Sequence, residues 1–223
     1  DGLLALSQLR VRTDDAELAG SAQLRPGAVD QLGGQADLRL TAPGATAQVK
    51  GELQPTTGAG TLQAQLQDAA RALAWAQKLP GANQALAGAH AKGSARLDGS
   101  WRGGWRDPTV QAQLTAPSLD WTPPSTPSAA AATPIQLRAV DAQLKGKLAQ
   151  ADLTLQGQVL QGERQLDLRL AANGGRTTPN ATLAASSWRA QVARLQASVR
   201  DPALGEGTWQ AATAAPVPLS WSP

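Results

Sequence analysis

A catalytic or metal site needs several reactive side chains that converge in space, and this sequence offers few of them. His90 is the only histidine, and it falls on the polar side of its segment, as an exposed surface histidine does. Asp14 and Asp15 are the only adjacent acidic residues, and after Thr13 they are typical of a turn. Cysteine is absent, which excludes thiol nucleophiles and disulfides. We therefore predict that the protein is not an enzyme and uses no metal and no cofactor, although spacing alone leaves a Ser-His-Asp arrangement open.

The segment most suggestive of a ligand is residues 101–106, in which aromatic and basic side chains are interleaved as WRGGWR. Proteins that bind single-stranded nucleic acid stack bases on aromatic side chains beside cations. The same residues also suit a hairpin whose tryptophans pack at the end of a sheet. No wider basic and aromatic face accompanies the segment, and a net charge of +3 over 223 residues is small for a nucleic-acid binder. We therefore expect no nucleic-acid partner.

Apolar residues recur at every second position through most of the chain. Ala36, Leu38 and Leu40 alternate with polar neighbours, and a longer run of the same kind extends from Ala89 to Trp101. Strict alternation places one set of side chains on each face of a strand, which is typical of an antiparallel sheet with one apolar side. About thirteen such segments, joined by short turns rich in glycine and proline, predict a long antiparallel meander.

Two segments depart from the alternation. Residues 68–79 combine a capping aspartate, Asp68, with an apolar stripe at helical spacing and a following Pro80–Gly81, and so predict one short amphipathic helix. Residues 117–134 are rich in proline and alanine and predict an exposed loop that could separate two parts of the sheet. The resulting division of the chain is residues 1–116 with the helix, the loop 117–134, and residues 135–223.

The alternation also changes phase within strands. It slips by one residue at Ala139–Val140, which predicts a β-bulge because a one-residue shift would otherwise exchange the two faces. It slips again between Val192 and Leu195. The residues Asn173–Gly175, in contrast, predict a tight hairpin, because glycine readily adopts positive φ.

A single short helix cannot cover the apolar side of so many strands. Phe and Tyr are absent, and Ile135 is the only isoleucine, so Ala, Leu and Val supply most of the apolar surface. Such a surface suits the coating of a sheet better than the filling of a deep core. The sheet can fold on itself as a sandwich, curl into a trough or be covered by a partner. An unclosed trough would expose an apolar patch of the kind that binds ligands or partners.

The order of several segments resembles the TamB family, the inner-membrane subunits of the translocation and assembly module. The strand Leu18–Leu24 has the spacing L-x-G-x-x-x-L. The helix ends in Lys78–Gly81 (KLPG) and is followed by Leu86–Gly88 (LAG), by the strand Ala89–Trp101 and by Asp107–Leu114 (DPTVQAQL). This succession is similar to the C-terminal, AsmA-like region of that family over about 60 residues, and the rest of the chain is similar in style.

The resemblance implies an all-β fold: a long curved antiparallel-rich sheet, or β-taco trough, with an apolar interior and one short amphipathic helix. It also implies a periplasmic location in a Gram-negative bacterium, as part of an inner-membrane-anchored protein with an Omp85-type, TamA-like outer-membrane partner. Such proteins conduct phospholipid between the two membranes or assist outer-membrane protein assembly. Because the sequence has no initiating methionine, signal peptide or long apolar run, we expect it to be a fragment. The absence of Phe and Tyr departs from the family pattern.

The function expected from these features is a groove that holds phospholipid acyl chains or unfolded outer-membrane protein strands. Acyl chains need apolar area rather than directional bonds, which aliphatic side chains provide. The alternative is a closed β-sandwich or passenger-like scaffold that mediates protein–protein interaction. The residues expected to face into the groove are Leu38, Leu40, Val49, Leu53, Leu62, Leu66, Leu97, Leu114, Leu144, Leu153, Leu155, Leu166, Leu168 and Leu170.

Overall fold

The computed structural model describes residues 4–25, 33–124, 133–178 and 186–222. Alternating apolar and polar residues form strands through most of these ranges, as the period-two pattern predicts. The strands are β1 Leu4–Arg12, β2 Glu17–Arg25, β3 Gly33–Ala42, β4 Ala45–Leu53, β5 Gly58–Leu66, β6 His90–Arg102, β7 Thr109–Thr122, β8 Ile135–Lys147, β9 Gln150–Gln161, β10 Arg164–Arg176, β11 Trp188–Arg200, β12 Trp209–Ala212 and β13 Val217–Trp221.

These strands form one antiparallel sheet in which each strand pairs with the next along the chain, from β1 to β12. The short strands β12 and β13 both pair with β11, at residues 196–199 and 188–192 respectively. The sheet is open, because among the described residues β1 and the β12–β13 edge do not pair with each other. The predicted fold class, a long, curved, all-β antiparallel sheet, is confirmed.

The predicted helix is present as α1, Ala69–Ala76. The Asp68 carboxylate accepts hydrogen bonds from the first turn and begins the helix. Regular helix ends at Ala76, three residues before the predicted end at Leu79, and the chain continues through a turn and the short helix α2, Ala82–Ala85. The backbone N–H groups of Lys78 and Leu79 bond the carbonyl oxygens three residues earlier, so the chain tightens into a 3₁₀-type turn before Pro80 and the α-helix ends early.

The bulge predicted at Ala139–Val140 is also present. The pairing of β8 with β9 shifts between Arg138 and Asp141, and Ala139 takes up the extra length with φ of 50°. The later slip corresponds to Ala193 in β11, where pairing with β10 passes from Arg194 directly to Val192. Both bulges keep the apolar residues on one face by inserting one residue.

The proline-rich loop begins later than the sequence suggests. Strand β7 continues through Pro117 to Thr122, because Pro117 sits at a bulge, where Ser94 and Arg96 of β6 pair with Ser118 and Thr115. A proline is tolerated there since it does not have to donate a ladder hydrogen bond. Strand β7 pairs directly with β8, so the sheet runs without a break across the expected division; residues 125–132 of the loop lie outside the described residues.

The hairpin predicted at Asn173–Gly175 is wrong, because these residues continue strand β10. Gly174 pairs with Ala151 on one side and with Ala190 on the other. A Cβ placed on Gly174 would lie 2.6 Å from the Cα of Ala190. Glycine is needed here because the neighbouring strand approaches closely, and not because the chain turns.

The sheet has no second layer in the part of the chain that the structure describes. Strands that are not neighbours in the sheet make at most marginal contact, so a closed sandwich is not the architecture. The chain exposes 14542 Å² of surface, whereas a compact monomer of this mass exposes about 9,600 Å². Along β5 the apolar residues are nevertheless half-buried while the polar residues are exposed. In an uncovered sheet this difference indicates that the apolar side chains pack against one another across neighbouring strands, whereas the polar side chains extend into solvent.

Candidate functional site

Strand pairing carries the apolar residues of one strand onto those of the next. Paired residues of antiparallel strands point to the same face of a sheet, so the register shows which side chains lie together. One row of paired residues crosses the whole sheet and contains only Leu, Val, Ala and Gly. Its members are Leu9, Gly20, Leu38, Val49, Leu62, Gly99, Ala112, Leu144, Leu153, Ala172, Val192 and Val217.

A second row runs beside the first, two residues away on each strand, or three on β11 where Ala193 is inserted, and is equally apolar. Its members are Val11, Leu18, Leu40, Ala47, Ala64, Leu97, Leu114, Ala142, Leu155, Leu170 and Leu195. Ten of the fourteen expected groove residues belong to these two rows. The other four, Leu53, Leu66, Leu166 and Leu168, lie an even number of residues from a row member on the same strand, and therefore on the same face.

A third row lies on the other side of the first and is built largely from small residues. Its members are Leu6, Ala22, Ala36, Gly51, Gly60, Trp101, Val110, Gly146, Ala151, Gly174, Ala190 and Leu219. We call the surface formed by the three rows the apolar face. None of its members is charged, and at a spacing of about 4.8 Å between strands it extends about 53 Å across the sheet.

The expected groove residues lie on the apolar face without being buried as a core would be. Leu114 and Leu144 keep 39% and 38% of their surface exposed. The only buried apolar residues in the described ranges are alanines, namely Ala42, Ala69, Ala89 and Ala116. A half-exposed aliphatic surface that runs without interruption across the sheet is of the kind that marks interaction or ligand sites. We therefore take the apolar face as the candidate binding surface.

Trp101 supplies the largest side chain of the third row, and neighbouring glycines make room for it. A Cβ on Gly60 would lie 2.1 Å from the indole Cζ2, and one on Gly51 would lie 3.0 Å from the same atom. The indole therefore lies flat across β5 and β4, and its Nε1 donates a 3.1 Å hydrogen bond to the carbonyl oxygen of Glu52. The tryptophan of the WRGGWR segment thus packs on the end of the sheet, as one of the two sequence interpretations has it.

Beside Trp101 the apolar face deepens into a cavity of about 550 Å³. The cavity lies where β1 to β4 meet the connection between β6 and β7, with Gly104 in contact with the backbone of Pro55. Only the edges of its wall are polar. The large apolar side chains in its wall are Leu4, Leu24, Val49, Leu53, Trp101 and Trp105. Of these, Val49 and Leu53 were expected from the sequence. The others were missed, because the alternation along each strand does not show which residues of different strands lie close together.

The opposite face of the sheet is polar and forms ion pairs within itself. Asp37 and Lys50 on adjacent strands lie 3.2 Å apart, and Arg96 bonds Asp98 two residues away at 2.5 Å. The hydrogen bond from Arg96 lowers the pKa of the Asp98 carboxyl, and the positive charge of Arg96 lowers it further. These exposed pairs contribute little to stability. They keep charge on the polar face and leave the apolar face free of it.

The residues first considered for chemistry do not converge. His90 is exposed at the start of β6, and its Nδ1 lies 2.7 Å from the carbonyl oxygen of Ala89. Asp15 forms an ion pair with Lys78, which follows α1, at 2.9 Å. The acidic pair is therefore part of a contact between the β1–β2 turn and the helix region.

No helix in the described ranges combines the length and the apolar character needed to cross a membrane. Comparison of the chain with protein-family models, with curated proteins and with solved structures gave no match. The function must therefore be argued from the apolar face itself.

Proposed function

We propose that the apolar face is a groove that holds phospholipid acyl chains and conducts them along the sheet. The observation that carries the proposal is the continuity of the rows: the apolar face crosses the sheet without a charged side chain. Each methylene removed from water contributes about 0.8 kcal/mol, so about ten methylenes of one tail contribute about 8 kcal/mol. Because this contribution needs no directional bonds, a tail can move along the rows.

The resemblance to the TamB family supports placing this groove in the periplasm. In that setting the chain is part of an inner-membrane-anchored protein, and phospholipid passes between the inner and outer membranes. An Omp85-type, TamA-like protein of the outer membrane is the partner that the resemblance implies. The resemblance implies an open trough, and the open sheet described above is compatible with that expectation.

A second candidate function, assistance to outer-membrane protein assembly, is favoured by the sheet edge at β1. Eight of the nine residues of β1 are exposed, and in the described residues its outer backbone edge has no partner strand. An extended segment of a client can pair with such an edge by main-chain hydrogen bonds. This function would use the edge of the sheet and not its rows.

The direct test is native mass spectrometry of the purified protein for phospholipid that remains bound. Leu114→Asp places a charge in the middle of the second row, at a side chain exposed enough to be replaced without unfolding the sheet. Gln111→Asp is the matched control, because it lies on the same strand, is exposed and faces the opposite side. We expect bound phospholipid in the wild type and in Gln111→Asp, and loss of it in Leu114→Asp.

Equal retention of phospholipid by the two variants would contradict the groove, as would a wild-type protein that carries no phospholipid and does not exchange a fluorescent phospholipid between vesicles. The scaffold alternative predicts that second result. Circular dichroism of each variant shows whether the sheet is intact, so a loss of binding is interpreted only for a folded protein.

A further inference from the structure

The strands end along two opposite borders of the sheet, and these borders differ in the sign of their charge. The border near Trp101, which we call the basic end, comprises the two terminal residues of each strand at that border together with the adjoining connections. Among the described residues it holds six cations against two anions, Glu52 and Asp107. The cations are Arg25, Arg102, Arg106, Lys147, Arg176 and Arg189.

The opposite end, defined in the same way, holds five cations against seven anions among the described residues. Several of these charges are paired locally: Lys78 with Asp15, and Arg164 with Asp201 at 3.2 Å. At the basic end, in contrast, Arg25, Arg102, Lys147 and Arg189 are all exposed on the polar side of the sheet. The net charges of about +4 and −2 therefore polarise the molecule along its strands.

The basic end also holds a cavity on the apolar face. The cavity beside Trp101 opens there, and Trp105 lies 5.7 Å from the guanidinium of Arg106. At the same end, near the β11–β13 edge, Trp188 pairs with Trp221, which keeps 55% of its surface exposed. Tryptophan beside arginine and lysine is the combination found where proteins meet the headgroup region of a bilayer. The opposite end has an exposed tryptophan too, Trp209, so the sign of the charge is what distinguishes the two ends.

We propose that the basic end docks on the surface of an anionic phospholipid bilayer. The exposed cations contact the phosphates, the tryptophans lie at headgroup level, and the cavity beside Trp101 faces the membrane. This orientation names the end at which a lipid tail enters or leaves the apolar face, and in that respect it rests on the proposed function. The docking itself depends on charge and can be measured separately.

The test is flotation of the protein with vesicles of phosphatidylcholine alone and of phosphatidylcholine with phosphatidylglycerol. Arg102→Glu combined with Lys147→Glu reverses two exposed charges at the basic end. Arg12→Glu combined with Arg200→Glu makes the same change in net charge at the opposite end, where both arginines are also exposed. A cation close to an anionic surface strengthens binding about fivefold, so the loss of two cations alone predicts about a 30-fold weakening, and the repulsion of the two new carboxylates adds to it.

We expect the wild type and the Arg12–Arg200 variant to bind phosphatidylglycerol vesicles, with binding that falls as salt is raised, and the Arg102–Lys147 variant to lose that binding. A wild type that binds neither kind of vesicle would overturn the proposal and point to an acidic protein as the partner. Two variants weakened to the same degree would also overturn it and would point to non-directional attraction. Leu114→Asp separates the two proposals, because vesicle binding by this variant should be unchanged whether or not the apolar face holds phospholipid. Its phospholipid content alone reports on the groove.

Discussion

Replacement of Gly60 by alanine tests the packing of Trp101 on the sheet. Gly60 lies on the apolar face directly opposite Trp101, and its backbone is in an extended conformation that alanine can adopt. The new Cβ would lie 2.1 and 2.3 Å from two atoms of the indole and 2.6 Å from the carbonyl oxygen of Lys50. Since these distances are far inside van der Waals contact, the indole must leave its position and the strands must adjust.

The cost can be estimated against a matched control. Overpacking of this kind typically destabilises a protein by about 1–3 kcal/mol, whereas replacing glycine by alanine in a strand gains about 0.5–1 kcal/mol. Gly60→Ala should therefore lose about 1–2 kcal/mol. Gly99 lies on the same face of the next strand, and its Cβ would meet nothing closer than 3.7 Å. Gly99→Ala should keep only the gain, so the two variants should differ by about 2 kcal/mol.

Equilibrium unfolding in urea measures this difference in the free energy of unfolding, and the intrinsic fluorescence reports movement of the indole. A shift of the tryptophan emission is expected in Gly60→Ala and none in Gly99→Ala. The packing would be refuted by a Gly60→Ala protein as stable as Gly99→Ala with unchanged emission. Such a result would mean that Trp101 does not lie across β5, and that the wall of the cavity is incorrectly assigned.

Three further changes probe other parts of the fold. Ala139→Gly relieves the positive φ of the bulge and should raise the free energy of unfolding by about 1 kcal/mol, measured in urea; a decrease would contradict the bulge. Asp68→Ala removes the cap of α1 and should cost about 1 kcal/mol, whereas Asp68→Asn, which still caps, should cost less. The hydrogen bond and the charge of Asp15 raise the pKa of Lys78, so its contribution to stability is present below the pKa of an unfolded lysine and is lost as the pH rises through the folded pKa. The difference in melting temperature between the wild type and Lys78→Gln should therefore shrink at alkaline pH and stay constant near neutrality.

The period-two pattern predicts the sheet well because each strand has one apolar side and one polar side. For the same reason, the change of phase at Ala139–Val140 correctly predicts a bulge: without it, the leucines of β8 would be divided between the two faces. The fourteen expected groove residues share a face because parity along a strand is a local property, and hairpin pairing preserves it from one strand to the next. Local pattern is therefore sufficient for the fold and for the identity of the apolar face.

Features that depend on register are not visible in the sequence. Pro117 looks like the start of a loop, but it lies in a strand because a bulge opposite β6 accommodates it. Gly174 looks like a turn residue, but it permits the close approach of β11. The space that Gly51 and Gly60 provide for Trp101 appears only once three strands are aligned. The same is true of the basic end, whose charged residues come from six separate segments of the chain.

The central claim is that lipid lies against the apolar face, and photocrosslinking by face measures it most directly. A benzophenone amino acid is placed in turn at Leu97 and Leu155 on the apolar face, and at Arg96 and Gln156, their neighbours on the polar face. The protein is then irradiated with vesicles that contain a radiolabelled phospholipid. The groove predicts crosslinked phospholipid from Leu97 and Leu155 and none above background from Arg96 and Gln156. Equal labelling from both faces, or none from either, would contradict it.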